Sequence, residues 1–479
     1  MTNSARLPPR FRGCFPPTRQ DVSDPIERDV AQKGSDTINR ELFGTRIGFI
    51  LAAVGSAVGL GNMWRFPYRV AEGGGAAFLV LYIILTFAIG IPLMLSEFSI
   101  GRRTRLSPMG AFRKEGGSRW SLVGMLGVLT GFLILSYYSV IAGWVVRYAI
   151  GGIIGGFAPD AGAYFETVTS GYTPLVYHVG FMLVTITIVM VGVEKGIEKA
   201  SLILMPVLFT IVIGLAFWVS QQDGAGAGYA YYLAPSFSEL LDPTTFAEAA
   251  GQAFFSLSLG MGAMLTFASY LSRHENLNRE ATTIAFSDFG VAFVAGLVVF
   301  PVIFAFGLSG EVGASTVGAL FIALPGAFVE MGAVGRFVGV AFFLALTVGA
   351  VTSAVSLLEV VTASVIDEFK IERRKAAFRA GLLIMVAGVI PAMSLDALGV
   401  IDQLTEWFLA LGALMTVLFV GWRMKDPTSE MLDGASGLFA AGIPYMMLVI
   451  RWVIPPIILF VVLYSGRNAL NTVMQLIGL

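Results

Sequence analysis

The sequence predicts an all-α, polytopic membrane protein, and three observations lead to that fold class. Of the 479 residues, 56% are hydrophobic and 13% are charged, a composition typical of membrane spans rather than of a soluble domain. Apolar runs of about 20 residues, long enough to cross a bilayer as a helix, recur about eleven times. Two of these runs, about 200 residues apart, are interrupted by closely spaced glycines, the pattern of an internal repeat with broken helices.

The first run, residues 46–70, carries the strongest of these signals. Its middle reads GSAVGLGN, from Gly55 to Asn62, and each glycine costs a helix about 0.5–1 kcal/mol relative to alanine. A broken helix leaves backbone groups without partners, and lipid tolerates this only where the backbone lines a cavity or binds a ligand. Freed carbonyls coordinate cations, and the N-terminus of the second half-helix attracts a carboxylate.

The other spans are predicted from hydropathy, and their orientation from basic residues. The spans after the first are 76–100, 122–150, 175–192, 197–220, 246–271, 281–308, 337–366, 378–393, 404–422 and 438–464. Lys and Arg occur in the loops after the second, fourth, sixth, eighth and tenth spans, whereas 156–173 and 221–248 contain neither. Because cytoplasmic loops are enriched in basic residues, we expect a cytoplasmic N-terminus and an external C-terminus in a bacterial plasma membrane.

The second interrupted run defines the repeat. SLSLGMG in the sixth span echoes SAVGLG in the first, and each opens a set of five spans. Since five is odd, the sets enter from opposite faces, which predicts two inverted repeats at 41–220 and 246–424 and an extra helix at 438–465. The alternative is that the glycines merely allow close helix packing. Outside the membrane domain at 41–465, we predict a disordered cytoplasmic tail at 1–40 and a short tail at 466–479.

Composition also excludes several function classes. The net charge of −1 does not favour a nucleic-acid partner. Cys14 is the single cysteine, so an intramolecular disulfide and a cysteine metal cluster are excluded. His178 and His274 are the two histidines, and each is interpreted as an ordinary loop residue. A catalytic centre is not expected, and the protein is predicted not to be an enzyme.

Longer motifs resemble a known family. GSAVGLGNMWRFPY in the first span, followed by EGGGAAF, resembles the first-helix signature of the neurotransmitter:sodium symporters, which include the bacterial leucine transporter and the serotonin and dopamine transporters. GIPLMLSEFSIGR, YYSVIAGW, GQAFFSLSLGMG and VTSAVS resemble the family in the same order, between about residues 40 and 465. The resemblance implies a leucine-transporter-type fold and sodium-coupled uptake by alternating access.

The resemblance further implies two sodium sites made of oxygen ligands, which suit a hard cation. The first site would use the Ala57 carbonyl and the side chains of Asn62, Ser256 and Asp288. The second would use the carbonyls of Gly55, Val58 and Gly349 and the hydroxyls of Thr352 and Ser353. Hydroxyls bonded back to their own helix are the alternative for Thr352 and Ser353.

A substrate site in two parts is implied in the same way. The part for an amino-acid backbone would contain Ser56, Ala57, Leu60, Gly61 and Tyr138. The part for the side chain would contain Ile134, Phe255, Ser258, Met261, Ser353, Ser356 and Leu357, with Ser256 shared with the first sodium site. Monoamine transporters of the family carry an aspartate at the position of Gly59, so glycine favours a substrate with its own carboxylate. The apolar pocket favours a hydrophobic or aromatic L-amino acid.

Two gates are implied, one at each end of the site. On the outside, the span-ten position that faces Arg65 aligns with Thr405, so Asp402 and Glu406 beside it are the candidate partners. On the inside, Arg40 and Asp367 resemble the family's cytoplasmic ion pair. Gly196 and Pro206, at the cytoplasmic end of span five, resemble a motif whose unwinding would release sodium inward, and a static kink is the alternative.

Chloride is predicted not to be required. Eukaryotic members of the family bind chloride beside the first sodium with a span-seven serine, and that position is Ala292 here. Asp288 stands where the family has an asparagine ligand, and its carboxylate would supply the negative charge that chloride provides elsewhere. The alternative is a protonated, hydrogen-bonding Asp288; after release Asp288 is also a candidate to carry a proton back.

Two other functions remain open from the sequence. A substrate-gated ion channel would need a continuous wet pore, which the apolar pocket and paired gates disfavour. An amino-acid sensor would bind the substrate without transporting it. The expected partners are therefore an amino acid, sodium and the lipid bilayer.

Overall fold

The structure is a computed structural model, and it describes residues 41–235, 239–272, 275–305 and 319–476. The predicted N-terminal tail at 1–40, including Arg40 of the inner gate, lies outside these residues, as do His274 and the predicted end of span seven at 308. Every regular element in the described part is helical, which confirms the all-α fold class.

The spanning helices are numbered here by the order of the predicted spans. They are α1a Arg46–Ala57, α1b Gly61–Glu72, α2 Ala76–Thr104, α3 Ser118–Ile154, α4 Thr173–Val191, α5 Val193–Val219, α6a Pro243–Ser256, α6b Ala263–Ala268, α7 Leu277–Ala305, α8 Gly332–Phe369, α9 Arg373–Met393 and α10 Leu395–Arg423. The last, α11, runs through Gly437–Leu448, Val449–Val453 and Ile454–Leu476. Shorter helices at the loops are Pro108–Gly116, Ala161–Thr169, Ala225–Leu233, Leu320–Glu330 and Thr428–Leu432.

Within the described residues, nine helices are long and apolar enough to span a membrane, and the bent pair α1a–α1b makes a tenth. The predicted sixth span is also present, but it is divided into α6a with 14 residues and α6b with 6. The difference from the predicted count of about eleven therefore comes from the glycine break in α6, which the sequence had predicted.

The C-terminal tail predicted at 466–479 is wrong as far as Leu476, because α11 continues to that residue. The polar residues that suggested a helix end form a polar face instead. Ser465 and Asn468 line a polar cavity beside α10, and the Thr472 hydroxyl donates to the Gln403 side chain at 2.9 Å. Polar residues on the protein-facing side of a membrane helix are compatible with its continuation.

The break in α1 separates two half-helices that meet at 44°. Val58 is extended (φ −79°, ψ 109°), and a π turn begins at Gly61. Gln252, on α6a, donates from its amide at 2.9 Å to the Gly61 carbonyl, which also accepts from the Phe66 amide. A side chain of α6a thus bonds to the backbone at the start of α1b, inside the protein rather than in lipid.

The break in α6 adopts left-handed backbone at three positions. Ser258, Gly260 and Gly262 have φ of 53°, 80° and 74°, where glycine pays no Cβ penalty. Glu97 of α2, which is buried, accepts from the Gly260 amide at 2.7 Å and the Leu265 amide at 3.2 Å. A carboxylate from α2 therefore caps the start of α6b.

The basic loops are joined to one another at one end of the bundle. Arg103 donates to the Lys425 carbonyl at 2.6 Å, and Arg113 pairs with Glu368. These bonds connect the segments that follow α2, α8 and α10, three of the loops assigned to the same side from their charge. We call this end the basic end.

Candidate functional site

The predicted first sodium site forms a connected polar cluster. Asp288 lies at its centre and is fully buried. The Asn62 amide donates to Asp288 Oδ1 at 2.7 Å, and the Ser256 hydroxyl donates to Asp288 Oδ2 at 2.8 Å. Asn62 is held in turn by the Gly59 amide, which donates to its Oδ1 at 3.1 Å. The break in α1, the end of α6a and the middle of α7 therefore meet at one carboxylate.

Tyr82 of α2 completes this cluster and was missed by the sequence analysis. Its hydroxyl donates to Asp288 Oδ2 at 3.3 Å and lies 3.1 Å from Ser256 Oγ. A tyrosine in the middle of an apolar span needs a partner for its hydroxyl, which was the signal available in EGGGAAFLVLY. Asp288 thus has three side-chain donors around it, which compensate the cost of burying a carboxylate.

The predicted second site lies on the other side of the α1 break, against α8. The Ser353 hydroxyl donates to the Gly55 carbonyl at 3.1 Å and to the Val58 carbonyl at 3.3 Å. Thr352 bonds back to the Gly349 carbonyl of its own helix at 3.0 Å. The alternative interpretation thus describes Thr352 in this structure but not Ser353. All five predicted ligand residues lie together and present oxygen atoms, the chemistry that a hard cation requires.

A small pocket lies between the two clusters and is lined by most of the predicted substrate residues. The lining consists of Ser56, Ala57, Gly59, Gly61, Ile134, Tyr138, Phe255, Ser258, Met261, Ser353 and Leu357. Its volume of about 20 Å³ accommodates little more than a water molecule. One wall is the broken backbone of α1 with Tyr138, and the rest of the lining is apolar except for Ser258 and Ser353.

Three predicted substrate residues lie behind this lining. The Leu60 amide donates to the Tyr138 hydroxyl at 3.2 Å, and Leu60 is fully buried without lining the pocket. Ser356 accepts from the Ser56 hydroxyl at 2.8 Å, and Ser256 belongs to the Asp288 cluster. These residues support the wall rather than form its surface.

Gly59 packs tightly against Ser353 of α8 and against Tyr138. A Cβ atom at Gly59 would lie 2.2 Å from Ser353 Oγ and 2.7 Å from the Tyr138 hydroxyl. Any side chain at this position therefore displaces groups predicted to bind sodium and the substrate carboxylate. The absence of a side chain is required here by packing as well as by charge.

Next to the pocket, Arg65 forms a direct ion pair. Its Nη2 lies 2.8 Å from Glu406 Oε2 and 4.0 Å from Asp402 Oδ2. The Tyr137 hydroxyl donates to Asp402 at 2.7 Å, while Thr405 bonds back to the Asp402 carbonyl at 2.8 Å. Of the two candidate partners, Glu406 contacts Arg65 directly, and Asp402 holds the tyrosine beside it.

A second arginine, which the sequence analysis missed, extends this network away from the pocket. Arg69 Nη2 lies 3.2 Å from Glu406 Oε2, and its Nη1 lies 3.5 Å from Glu248 of α6a. Beyond it is a polar cavity of about 270 Å³ lined by Tyr68, Arg69, Glu72, Glu248, Gly399, Asp402, Gln403, Glu406, Tyr464, Ser465 and Asn468. Arg65 is buried and its guanidinium lies 4.5 Å from the Phe255 ring centroid, so the arginine separates this cavity from the pocket.

At the opposite end, Asp367 accepts from the Ser107 amide at 2.6 Å, and its predicted partner Arg40 lies outside the described residues. Another buried acid was missed there. Glu359 of α8 pairs with Arg373 at 2.7 Å and accepts from the Tyr270 hydroxyl. Phe43 packs edge-on against Tyr270, so this buried pair also contacts the segment that precedes α1a.

The start of α5 is bonded to the segment that precedes α1a. Glu198 accepts from the Gly44 amide at 2.7 Å and from the Thr45 hydroxyl at 2.6 Å, and Glu41 accepts from the Val193 amide at 2.7 Å. Residues Val193–Glu198 form a π turn at the beginning of the segment predicted to unwind. The first turn of α5 therefore contacts the chain that leads into the broken helix.

The sequence matches the profile of the Sodium:neurotransmitter symporter family over residues 40–156 and 172–474. The chain belongs to this family. A transporter of Bacillus subtilis named as the uncharacterized sodium-dependent transporter YhdH is 34% identical over 439 residues, which cover 88% of this chain and 96% of the relative. An uncharacterized sodium-dependent transporter of Methanocaldococcus jannaschii is 35% identical and covers 80% of this chain and 82% of its own length.

Two further relatives carry more specific names. The crystal structure of MhsT in complex with L-phenylalanine superposes with a TM-score of 0.82 at 39% identity, covering 89% of this chain and 100% of MhsT. The mouse sodium-dependent neutral amino acid transporter SLC6A17 is 31% identical over 58% of this chain and 42% of its own length. This symporter is therefore a sodium-dependent membrane transporter with the leucine-transporter-type fold, and not an enzyme.

Proposed function

We propose that this symporter imports a hydrophobic or aromatic L-amino acid together with sodium by alternating access. The composition of the pocket carries the proposal: its side-chain wall is apolar, from Ile134, Phe255, Met261 and Leu357, and none of the lining residues described is charged. The substrate carboxylate would bind the α1 backbone and Tyr138. The complex of MhsT with L-phenylalanine supports the same substrate class.

Two sodium ions are proposed to bind beside the substrate. The Asp288 cluster would hold the first and the oxygen atoms around Ser353 the second. In each cluster the acceptors are now shared among protein donors, so a cation would replace hydrogen bonds such as that from Ser353 to the Gly55 carbonyl. Arg65 with Glu406 would close the outer side, and the N-terminus would face the cytoplasm with the C-terminus outside.

Uptake into proteoliposomes tests this function directly. With an inward sodium gradient, we expect saturable accumulation of a labelled hydrophobic or aromatic L-amino acid above its external concentration. The same panel without sodium is the control. Substrate-evoked ion flux without accumulation would establish a channel, and sodium-dependent binding without uptake would establish a sensor; either result contradicts the proposal.

Chloride independence is a separate part of the proposal and rests on Asp288 and Ala292. Asp288 lies fully buried among its donors, and Ala292, one turn later on α7, provides no hydroxyl. Replacement of chloride by gluconate should leave uptake unchanged, whereas Asp288→Asn combined with Ala292→Ser should make uptake depend on chloride. A chloride requirement in the unmodified protein would contradict this assignment.

A further inference from the structure

Two arginines and two tryptophans meet on the exposed surface of the basic end, where α10 and α11 are in contact. We call Trp422, Arg423, Arg451 and Trp452 the Arg–Trp cluster. The tryptophan rings are T-shaped with centroids 4.7 Å apart, and their exposed fractions are 57% and 63%. Both rings therefore face away from the protein, on a surface that membrane lipid covers.

The depth of this cluster follows from the length of α11. Its apolar segment Ala440–Met474 has 35 residues, about 50 Å as a helix, while the hydrocarbon core is about 30 Å thick. Arg451 Nε donates to the Gly421 carbonyl at 2.7 Å, and α10 ends at Arg423. Arg451 is therefore level with the end of α10, at the headgroup region, where tryptophan also concentrates.

The charge of this cluster differs from that of its neighbours at the basic end. Arg102, Arg103, Arg113 and Arg373 each pair with a carboxylate. Arg451 and Arg423 form no ion pair with any described residue. Their bonds are to backbone carbonyls, of Gly421 at 2.7 Å and of Gly116 at 3.4 Å.

The Arg451 guanidinium is fixed in position by its stem as well as by that bond. A Cβ atom at Gly421 would lie 3.2 Å from Arg451 Cγ, so the glycine allows the arginine stem to lie against α10. Because Nε already donates to the Gly421 carbonyl, the remaining donors are on the edge formed by Nη1 and Nη2, and this edge has no acceptor among the described residues. Two parallel N–H groups on one guanidinium edge match two oxygen atoms of a phosphate.

We propose that the Arg–Trp cluster is a binding site for the phosphate of an anionic phospholipid. Arg451 would bind two phosphate oxygens, Arg423 would add positive charge, and the tryptophan rings would contact the glycerol and upper acyl chains. Basic groups between helices at the headgroup level bind anionic lipid in this way. A lipid rather than a soluble phosphate is inferred because both rings project into the region that acyl chains occupy. The site is independent of the transported substrate.

Quenching of tryptophan fluorescence by brominated lipids tests the site in the purified full chain. Brominated phosphatidylglycerol should quench at a concentration about fivefold lower than brominated phosphatidylcholine, and the selective part of the signal should disappear in Trp452→Phe. Arg451→Gln should make the two lipids quench at about equal concentrations, so that the ratio of the two concentrations falls to about one. Arg374→Gln is the matched control, because it removes an exposed positive charge elsewhere at the basic end.

Three results would overturn the proposal: an equal loss of selectivity in Arg374→Gln, unchanged selectivity in Arg451→Gln, or displacement of the brominated lipid by glycerol phosphate as effectively as by phosphatidylglycerol. Arg451→Lys serves where Arg451→Gln does not yield a monodisperse protein. It keeps the charge but loses the guanidinium edge and the Gly421 bond. Its ratio of quenching concentrations should therefore lie between one and the ratio of the unmodified protein.

Discussion

The two broken helices are related by the repeat, yet they are held open by different means. The α1 break is bonded by side chains at the ion and substrate clusters: Ser353 donates to the Gly55 carbonyl and Tyr138 accepts from the Leu60 amide. The α6 break is bonded by Glu97, which accepts from two amides, and it packs against the backbone of α10.

At the α1 break, a bound ligand can replace protein groups as the partner of the free backbone. At the α6 break, the protein itself supplies those partners. The groups at α1 are oxygen atoms and hydroxyls, which a cation or carboxylate can engage in place of a protein partner. Ser258 and Met261 of the α6 break line the pocket, but the groups that hold this break, the Glu97 carboxylate and the glycine contact with α10, do not. We therefore expect changes at these α1 groups to alter ligand responses and changes at Glu97 or at the glycine contact to alter the fold.

The largest effect is expected from Glu97→Ala. The change leaves the buried amides of Gly260 and Leu265 without an acceptor, at about 1–3 kcal/mol for each group. The thermal midpoint should fall by a similar amount with and without sodium. Glu97→Gln, which keeps one acceptor oxygen, is the matched control and should fall less. A loss of stability confined to sodium-containing buffer would place Glu97 with the ion sites instead.

The next effect is expected from Gly412→Ala at the contact between α10 and the α6 break. A Cβ atom at Gly412 would lie 2.1 Å from the Gly260 carbonyl oxygen, and overpacking of this kind typically costs about 1–3 kcal/mol. Gly399→Ala is the control on the same helix, because a Cβ atom there meets nothing within 4 Å. Equal thermal midpoints for the two variants would contradict the contact.

Asn62→Ala tests the α1 break and should act mainly on sodium. The change removes a proposed ligand of the first site, so the sodium affinity measured by thermal shift should fall at least about tenfold, or about 1.4 kcal/mol. Stability without sodium should change less than in Glu97→Ala. If the sodium titration of Asn62→Ala matches that of the unmodified protein, the first site is wrongly assigned.

The smallest effect is expected from Glu248→Gln. Glu248 lines the polar cavity at which α1b and α6a meet. Glu248 lies 3.5 Å from Arg69, which keeps its shorter contact with Glu406. Partly exposed pairs contribute about 0–1 kcal/mol, so the thermal midpoint and the sodium affinity should be nearly unchanged. Glu406→Gln is the comparison and should have the larger effect, because Glu406 contacts both arginines.

Much of this arrangement was predictable because it follows from local sequence. Glycines at corresponding positions of two apolar runs predicted both breaks, and the family motifs assigned Asn62 and Asp288 to one site and Ser353 to a second site. The structure brings these side chains within hydrogen-bonding distance of one another or of the α1 backbone. The charge pattern of the loops likewise predicted that those found at the basic end lie on one side of the membrane, although it did not predict their contacts.

The partners that were missed are residues whose role depends on the distance between helices. Glu97 is one charge in an apolar span, and the sequence does not show that it reaches an amide 163 positions away. The pairing of Arg65 with Glu406 rather than Asp402 depends on the rotation of α10, which a motif alignment to Thr405 did not fix. The continuation of α11 was missed because a polar face facing a cavity has the same composition as a helix end.

The facing glycines of α6 and α10 also have a mechanical consequence. Gly260 and Gly412 place backbone against backbone, with no side chain from either residue inserted between the neighbouring turns. Interdigitated helices must separate before one can shift past the other, whereas two smooth surfaces in contact allow shear without separation. This contact therefore keeps the two helices from moving closer together, but it favours sliding of the α6 break along α10 over separation from it.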